Sequence, residues 1–254
     1  MKWKLNIRRE VTTVVALVGV SLLISFSERK QRVVVCKDVI IELENDRENH
    51  FMDEADVMRL VETNCPNLIG TNINRLDMRA IESKLKYDKH ILDAQLFGDL
   101  KGNLVVEVTL RRPVARIVQE DAPDAYIAED GTVMPVSEMF TARVVLISGE
   151  YVKKLLESED LSKTVEGQQL MELIRLINEN IFWKAQVAQL DMNSEGRITI
   201  YPQVTGQRIE FGRLEDTENK FKKLMIFYKE ILPQRGWTKY KRVNLEYAGQ
   251  VIAE

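Results

Sequence analysis

The clearest hydrophobic feature of the chain is an uncharged run close to its N-terminus. Residues 11–27 read VTTVVALVGVSLLISFS, and charged residues flank the run on both sides. As a helix rising 1.5 Å per residue, the run is about 25 Å long, which approaches the thickness of the hydrocarbon core of a bilayer. The pattern therefore predicts a single transmembrane helix at residues 11–27.

The charges around this run predict its orientation. Residues 1–10 hold four cationic side chains and one glutamate, although the whole chain of 254 residues has a formal charge of −3. The positive-inside rule then makes residues 1–10 a cytoplasmic tail and places the rest of the chain outside the cytoplasm. An uncleaved signal anchor is the favoured interpretation. A cleaved signal peptide and a buried core helix are the two alternatives.

The segment from 33 to 117 has the pattern of a small α/β unit. Residues 33–45 are β-branched and partly alternating, which is typical of a strand. Apolar residues at helical spacing predict helices at 53–64 and 77–85. Two further strands, divided by a Gly-containing turn, are expected at 91–117. The predicted order is β-α-α-β-β, in one copy.

The remaining residues, 118–254, predict a mostly antiparallel β domain with two packed helices. Amphipathic spacing places those helices at 164–182 and 216–232, among short strand candidates. The chain closes on residues 242–254, which we interpret as one strand with Gly249 at its centre. The fold class expected for the whole protein is α+β, preceded by the transmembrane helix.

Composition removes several classes of function. With 45% hydrophobic and 30% charged residues the chain is globular, and its net negative charge disfavours a nucleic-acid binder. Two His and two Cys are too few for common metal sites, and no nucleophile, zinc or phosphate-loop motif is present. We therefore expect no catalytic residue, no metal site, no cofactor and no enzyme activity. Cys36 and Cys65 could form a disulfide outside the cytoplasm, or could be two small apolar side chains.

Four local motifs carry a resemblance to a known family. They are Ile73-Asn74 through Leu85, the strand Val105–Ile117 with Arg111-Arg112-Pro113-Val114-Ala115-Arg116, Tyr126-Ile127-Ala128-Glu129-Asp130-Gly131, and Val243-Asn244-Leu245-Glu246-Tyr247. Together with the order of anchor and domains, they make the chain similar to the bacterial cell-division family FtsQ/DivIB. It departs from that family at Ala128, where an Asp is usual. Its short cytoplasmic tail resembles the Bacteroidetes-type members.

The resemblance implies a fold and a role. Residues 33–117 would be a POTRA domain, and the protein would span the inner membrane once, with its bulk in the periplasm. It would act as a non-catalytic divisome scaffold that binds an FtsB-like protein coiled with an FtsL-like protein, supporting septal peptidoglycan synthesis. Other divisome membrane proteins are further expected partners, and the anchor would contact lipid. The alternative is a POTRA-containing accessory protein of outer-membrane biogenesis or secretion.

The end of the chain is the candidate partner-binding site. An edge strand leaves backbone groups unpaired, and a partner strand can pair with them by β-augmentation. The candidate residues of this strand are Val243, Leu245, Tyr247, Gly249, Gln250, Val251 and Ile252. The nearby basic and aromatic residues Trp237 and Lys239 could receive an acidic partner helix. The alternatives are an ordinary core strand and a solvated hairpin edge.

A second candidate site lies where the two predicted domains meet. Arg111, Arg112 and Arg116 cluster around Pro113 at this point. They are expected to hold the interdomain hinge by pairing with acidic neighbours; simple exposure is the alternative.

Overall fold

A computed structural model describes residues 17–21, 34–44 and 50–254 of the protein. Residues 17–21 are helical and exposed. The other residues of the predicted anchor, and the tail 1–10, lie outside the described residues. Among the helices that are described, none is both long enough and apolar enough to cross a membrane. The transmembrane helix at 11–27 therefore stays a prediction.

The first domain has the predicted β-α-α-β-β order. Its elements are β1 (Val39–Glu44), α1 (Glu54–Asn64), a 3₁₀ turn (Ile73–Arg75), α2 (Met78–Leu85), β2 (Ile91–Gly98) and β3 (Leu104–Leu110). β3 is the central strand of the sheet, parallel to β1 and antiparallel to β2. The two helices cover one face of this sheet and form a core with it.

Local chemistry explains where the two helices begin. The Asp53 carboxylate accepts the Asp56 N–H, and the Asp56 carboxylate accepts the Asp53 N–H in return, so the first turn of α1 carries a capping box. Asp77 caps α2 by accepting the N–H of Ala80. Glu82 then ties α2 to the sheet, because its carboxylate accepts the Leu96 N–H at 2.8 Å.

The second domain is larger and contains nine strands. Its strands are β4 (Pro113–Ile117), β5 (Ala125–Ala128), β6 (Val133–Pro135), β7 (Val145–Ser148), β8 (Val187–Met192), β9 (Ile198–Pro202), β10 (Arg208–Gly212), β11 (Arg242–Asn244) and β12 (Ile252–Ala253). Its helices are α3 (Val152–Leu155), a 3₁₀ turn (Leu161–Lys163), α4 (Val165–Glu179), α5 (Ile181–Gln186), α6 (Thr217–Ile226), a π-helical stretch (Phe227–Ile231) and α7 (Leu232–Arg235).

The nine strands form one mixed sheet in the order β12-β11-β10-β9-β8-β7-β4-β5-β6. Five of the eight strand pairings are antiparallel and three are parallel. The mostly antiparallel α+β domain is therefore confirmed. Helix α5, helix α6 and the π-helical stretch meet in an aromatic cluster, in which the ring centre of Trp183 lies 5.1 Å from that of Phe221 and 5.8 Å from that of Tyr228.

The boundary between the domains differs from the prediction in one respect. Residues 104–117 do not form one strand, because the chain leaves the first sheet after Leu110 and starts β4 at Pro113. β4 pairs with β5 and β7, so residues 113–117 belong to the second sheet. Pro113 has no N–H for a continuous ladder and restricts the residue before it, which explains the break.

Candidate partner-binding site

The C-terminal residues form a short hairpin at one end of the nine-stranded sheet. β11 pairs parallel to β10, and β12 pairs antiparallel to β11 on the outside. Arg242 donates its N–H to the Glu254 carbonyl at 3.1 Å, and Glu254 donates back at 2.9 Å. The expected single strand at 242–254 is thus two strands joined by a loop, and β12 is the terminal strand of the sheet.

A turn at Gly249 produces this hairpin. Gly249 has φ +71°, in the left-handed region that glycine adopts without steric cost. It lies between β11 and β12 and pairs with neither, so the prediction that it is the centre of a single strand is wrong.

Lys223 on α6 binds the loop between β11 and β12. Its ammonium donates to the carbonyls of Leu245 at 3.0 Å, Tyr247 at 2.7 Å and Gln250 at 3.3 Å. A charged donor makes stronger hydrogen bonds than a neutral one, and three acceptors surround this one. Lys223 therefore positions the loop that leads into β12.

Glu210 on β10 fixes β11 from the side. It accepts two hydrogen bonds from the Arg242 guanidinium, at 2.6 and 2.8 Å, and one from the Asn244 amide at 2.7 Å. The Arg242 hydrogen bonds are the main reason that the pKa of Glu210 is lowered. Beyond β11, Glu246 pairs with Arg197 at 2.5 Å. Ion pairs thus fix the base of the hairpin to the sheet.

The outer side of β12 is open. In an antiparallel pair, hydrogen-bonded positions alternate along each strand. Because position 254 exchanges both bonds with Arg242, the amide and carbonyl of Ala253 point the other way. No strand of the described chain lies beyond β12. This edge can accept one more strand.

The structure divides the predicted residues of this site. Val243 and Leu245 are fully buried, so their side chains belong to the core and not to a contact surface. Tyr247 is 52% exposed, and Val251 packs partly against the core. The exposed members of the predicted set are Tyr247, Gly249, Gln250 and Ile252.

The basic and aromatic residues lie close to the same edge. Trp237 is exposed, and its carbonyl accepts the Gln207 amide at 3.2 Å. The Lys239 ammonium lies 5.6 Å from the ring centre of Tyr240. The chain then reaches β12 directly, since the Lys241 N–H donates to the Glu254 carbonyl at 2.6 Å.

Arg111 joins the two domains. Its Nη1 donates to the carbonyls of Lys89 at 3.1 Å and Ile91 at 2.5 Å in the first domain. Its Nε pairs with Asp130 of the second domain at 2.8 Å. Burial alone would raise the pKa of Asp130, but hydrogen bonds from Arg111 and Thr132 outweigh burial and lower it.

The other predicted hinge residues act differently from Arg111. The Arg112 carbonyl accepts the Glu129 N–H at 2.9 Å, and Pro113 opens β4. Arg116 pairs with Asp124 at 2.7 Å and lies over the Tyr126 ring, entirely within the second domain. Arg111 therefore contacts both domains.

An aromatic cluster centred on Phe51 completes the contact between the domains, and we call it the joint. Phe51 is buried, with ring centres 4.9 Å from Tyr126, 5.2 Å from Phe140 and 5.5 Å from His90. The His90 ring contacts the Asp88 carboxylate at 3.1 Å and the Pro135 carbonyl at 3.2 Å. That hydrogen bond to His90 is the main reason that the pKa of Asp88 is lowered.

A family model described as FtsQ/DivIB, C-terminal related, matches residues 112–254, which is more than half of the chain. The chain belongs to the FtsQ/DivIB family. A POTRA-like domain model matches residues 34–109 of this FtsQ/DivIB protein, which confirms the predicted POTRA domain. Membership of the family makes it a bacterial cell-division protein.

A named relative agrees with this assignment. The cell division protein FtsQ of Syntrophotalea carbinolica is 24% identical over 205 residues, which cover 81% of this chain and 70% of the relative. The likeness thus extends over both domains.

Sequence patterns missed two elements of this FtsQ/DivIB protein. Lys223 resembles any helical lysine in the sequence, and the joint draws on residues as distant as Phe51 and Phe140. His50 and His90 also lie in the joint, where His50 is 5.4 Å from Phe140. The described residues contain no group of three or more potential metal ligands, and Cys36 and Cys65 are not bonded to each other.

Proposed function

We propose that this protein is a non-catalytic scaffold of the divisome that captures a partner strand on β12. It is held in the inner membrane by residues 11–27, with its N-terminus in the cytoplasm and both domains in the periplasm. The open edge of β12 carries the proposal. Family membership supports the division role over an accessory role in outer-membrane biogenesis or secretion.

The partner is the periplasmic part of an FtsB-like protein, itself coiled with an FtsL-like protein. Its strand pairs with the outward amide and carbonyl groups of Ala253 on β12, which gives affinity through backbone hydrogen bonds. Alternate side chains of that strand meet the exposed Tyr247 and Ile252, which give specificity.

Charge favours an acidic segment beside that strand. Lys239, Lys241 and Arg235 are exposed around Trp237, close to the start of β11. An acidic partner helix packed here would be steered by these cations and would cover the Trp237 ring. Such an assembly would transmit the state of the partner complex toward septal peptidoglycan synthesis.

Proline substitution tests the edge directly. Ala253→Pro removes the outward amide of β12, while the bonds that β12 makes through Glu254 to β11 use other positions. The full-length chain in nanodiscs should bind the FtsB-like periplasmic segment about ten-fold or more weakly, since one lost bond and a clash cost at least about 1.4 kcal/mol.

Ala122→Pro is the matched control, because Ala122 is exposed in the loop between β4 and β5. It should bind as the wild type does. Wild-type affinity in Ala253→Pro, with its thermal unfolding unchanged, contradicts strand capture at β12.

A further inference from the structure

The chain enters the POTRA domain at one end of its sheet and leaves it at the other end. β1 begins at Val39, which pairs with Leu104, and β2 ends at Gly98, which pairs with the same residue. The opposite end holds Ile91 and Leu110, next to the joint. We call the first of these ends the proximal end.

Three segments converge at the proximal end. The Lys37 N–H donates to the Gly102 carbonyl at 2.9 Å, and the Lys37 ammonium donates to the Lys101 carbonyl at 2.8 Å. On the other side, the Gly70 N–H donates to the Cys36 carbonyl at 2.8 Å. Residues 34–37 therefore lie between the β2–β3 turn and the loop that contains Gly70.

Each of these segments exposes a large apolar side chain. Leu100 is fully exposed at 108%, Ile69 is 66% exposed and Val35 is 43% exposed. Isolated apolar residues on a surface are ordinary, but three of them from three segments at one end form a cluster. Exposing such a cluster to water is unfavourable, whereas inserting it into the interfacial region of a bilayer is favourable.

The charges at this end suit an anionic surface. Lys37 and Lys101 are exposed. The nearby carboxylates accept hydrogen bonds from the backbone. Asp99 accepts the N–H groups of Lys101 and Asn103, and Asp38 accepts that of Val39. These hydrogen bonds leave the carboxylates charged, so the two lysines balance them, and the net positive charge beside this end comes from residues 28–33. Phosphate headgroups attract such basic residues near a membrane surface.

Chain length brings a bilayer within reach. Only residues 28–33 separate the predicted anchor from Val34. At about 3.6 Å per residue even a fully extended connection is about 25 Å long, and it contains two arginines and a lysine against one glutamate. The proximal end is therefore the part of the POTRA domain nearest to the membrane.

We propose that the proximal end of the POTRA domain docks on the bilayer surface. Val35, Ile69 and Leu100 enter the boundary between headgroups and acyl chains, and Lys37 and Lys101 face anionic headgroups. The inference rests on the membrane anchoring proposed above.

Depth-dependent quenching tests the docking. The full-length chain, with Cys36→Ala and Cys65→Ala, is reconstituted into nanodiscs, and an environment-sensitive fluorophore is attached at Leu100→Cys. Nitroxide lipids should quench this probe several-fold more strongly than the same probe at Tyr87→Cys. Tyr87 is 84% exposed, next to the opposite end of the sheet. Quenching at position 100 should be stronger in phosphatidylglycerol than in phosphatidylcholine discs, and Ile69→Glu should weaken it.

Two failures are distinguishable. A chain that enters the discs but is quenched equally at positions 100 and 87 overturns the docking and leaves the anchor intact. A chain that does not enter the discs contradicts the anchor, and the docking with it. Equal quenching in both lipids, with the difference between the positions preserved, overturns the part assigned to Lys37 and Lys101.

Discussion

Replacing Lys223 by Met should loosen the C-terminal hairpin while leaving the rest of the fold in place. The Lys223 ammonium donates to three carbonyls of the 245–250 loop, at 2.7 to 3.3 Å. Methionine keeps the length of the apolar stem and removes the donor. The loop then loses its link to α6, and β12 is held by its short pairing with β11 and by the packing of Val251 and Ala253 on the core.

The size of the effect follows from the setting of each bond. The bond to Leu245 is partly buried, and a charged bond of this kind contributes about 1.5–3 kcal/mol. The bonds to Tyr247 and Gln250 are exposed, so water replaces them at a cost of about 0.5 kcal/mol each. We therefore expect local opening of the hairpin to become easier by about 2.5–4 kcal/mol.

Native-state hydrogen exchange measures that opening. A change of about 2.5–4 kcal/mol should speed exchange of the Leu245 and Glu254 amides by about 60- to 700-fold. Both amides are hydrogen-bonded to neighbouring strands, so they report on the hairpin. Amides of the POTRA domain should exchange as before.

Lys222→Met is the matched control. Lys222 is the adjacent lysine on α6, and its long ion pair with Glu218, at 3.7 Å, is exposed. Exchange in this variant should equal that of the wild type. If Lys223→Met also leaves the exchange of residues 245–254 unchanged, Lys223 does not position the loop.

Two further predictions concern the joint. Phe51→Ala should lower the free energy of unfolding by about 3–5 kcal/mol and uncouple the two domains, seen as two calorimetric transitions in place of one. Lowered pKa values of Asp88 and Asp130 imply that the stability these carboxylates add is complete above about pH 5. That stability is lost as the pH falls below 3.8, the ordinary value. Urea unfolding at pH 6 and pH 3.5 should show the loss, and Asp130→Asn should reduce it.

Phe51→Leu separates packing from aromatic contact in the first of these tests. It should cost less than Phe51→Ala and preserve a single transition. One transition in both variants would show that the joint does not couple the domains. If Asp130→Asn leaves the pH dependence of stability unaltered, Asp130 does not contribute to it.

Local patterns predicted the POTRA domain because its elements are fixed by short-range signals. Asp53 and Asp77 mark the starts of their helices, and the turn at Gly102 marks the hairpin. The helix expected at 164–182 is interrupted because the Asn180 side chain accepts the N–H groups of Phe182 and Trp183 and starts α5 anew. One residue separates the two helices, so the apolar residues keep their helical spacing across the break.

The hairpin and the joint depend on contacts that no local pattern contains. Val243 and Leu245 alternate as one strand requires, and only tertiary packing decides that the chain turns at Gly249 instead of extending. The sequence hypothesis therefore located the correct edge of the sheet with the wrong geometry. The ring contacts of His50 and His90 could not be predicted either, because their aromatic neighbours come from distant parts of the chain.

The joint also sets a length. β2 spans about 26 Å at 3.3 Å per residue, so under the docking proposed above the POTRA domain holds the second domain about that far from the bilayer. Phe51 and Arg111 keep this distance constant, because they fix the two domains to each other. A partner rooted in the same membrane must then carry its pairing strand at a matching distance from its own anchor. Inserting or deleting residues between those two parts of the partner should disturb capture as much as changing the strand itself.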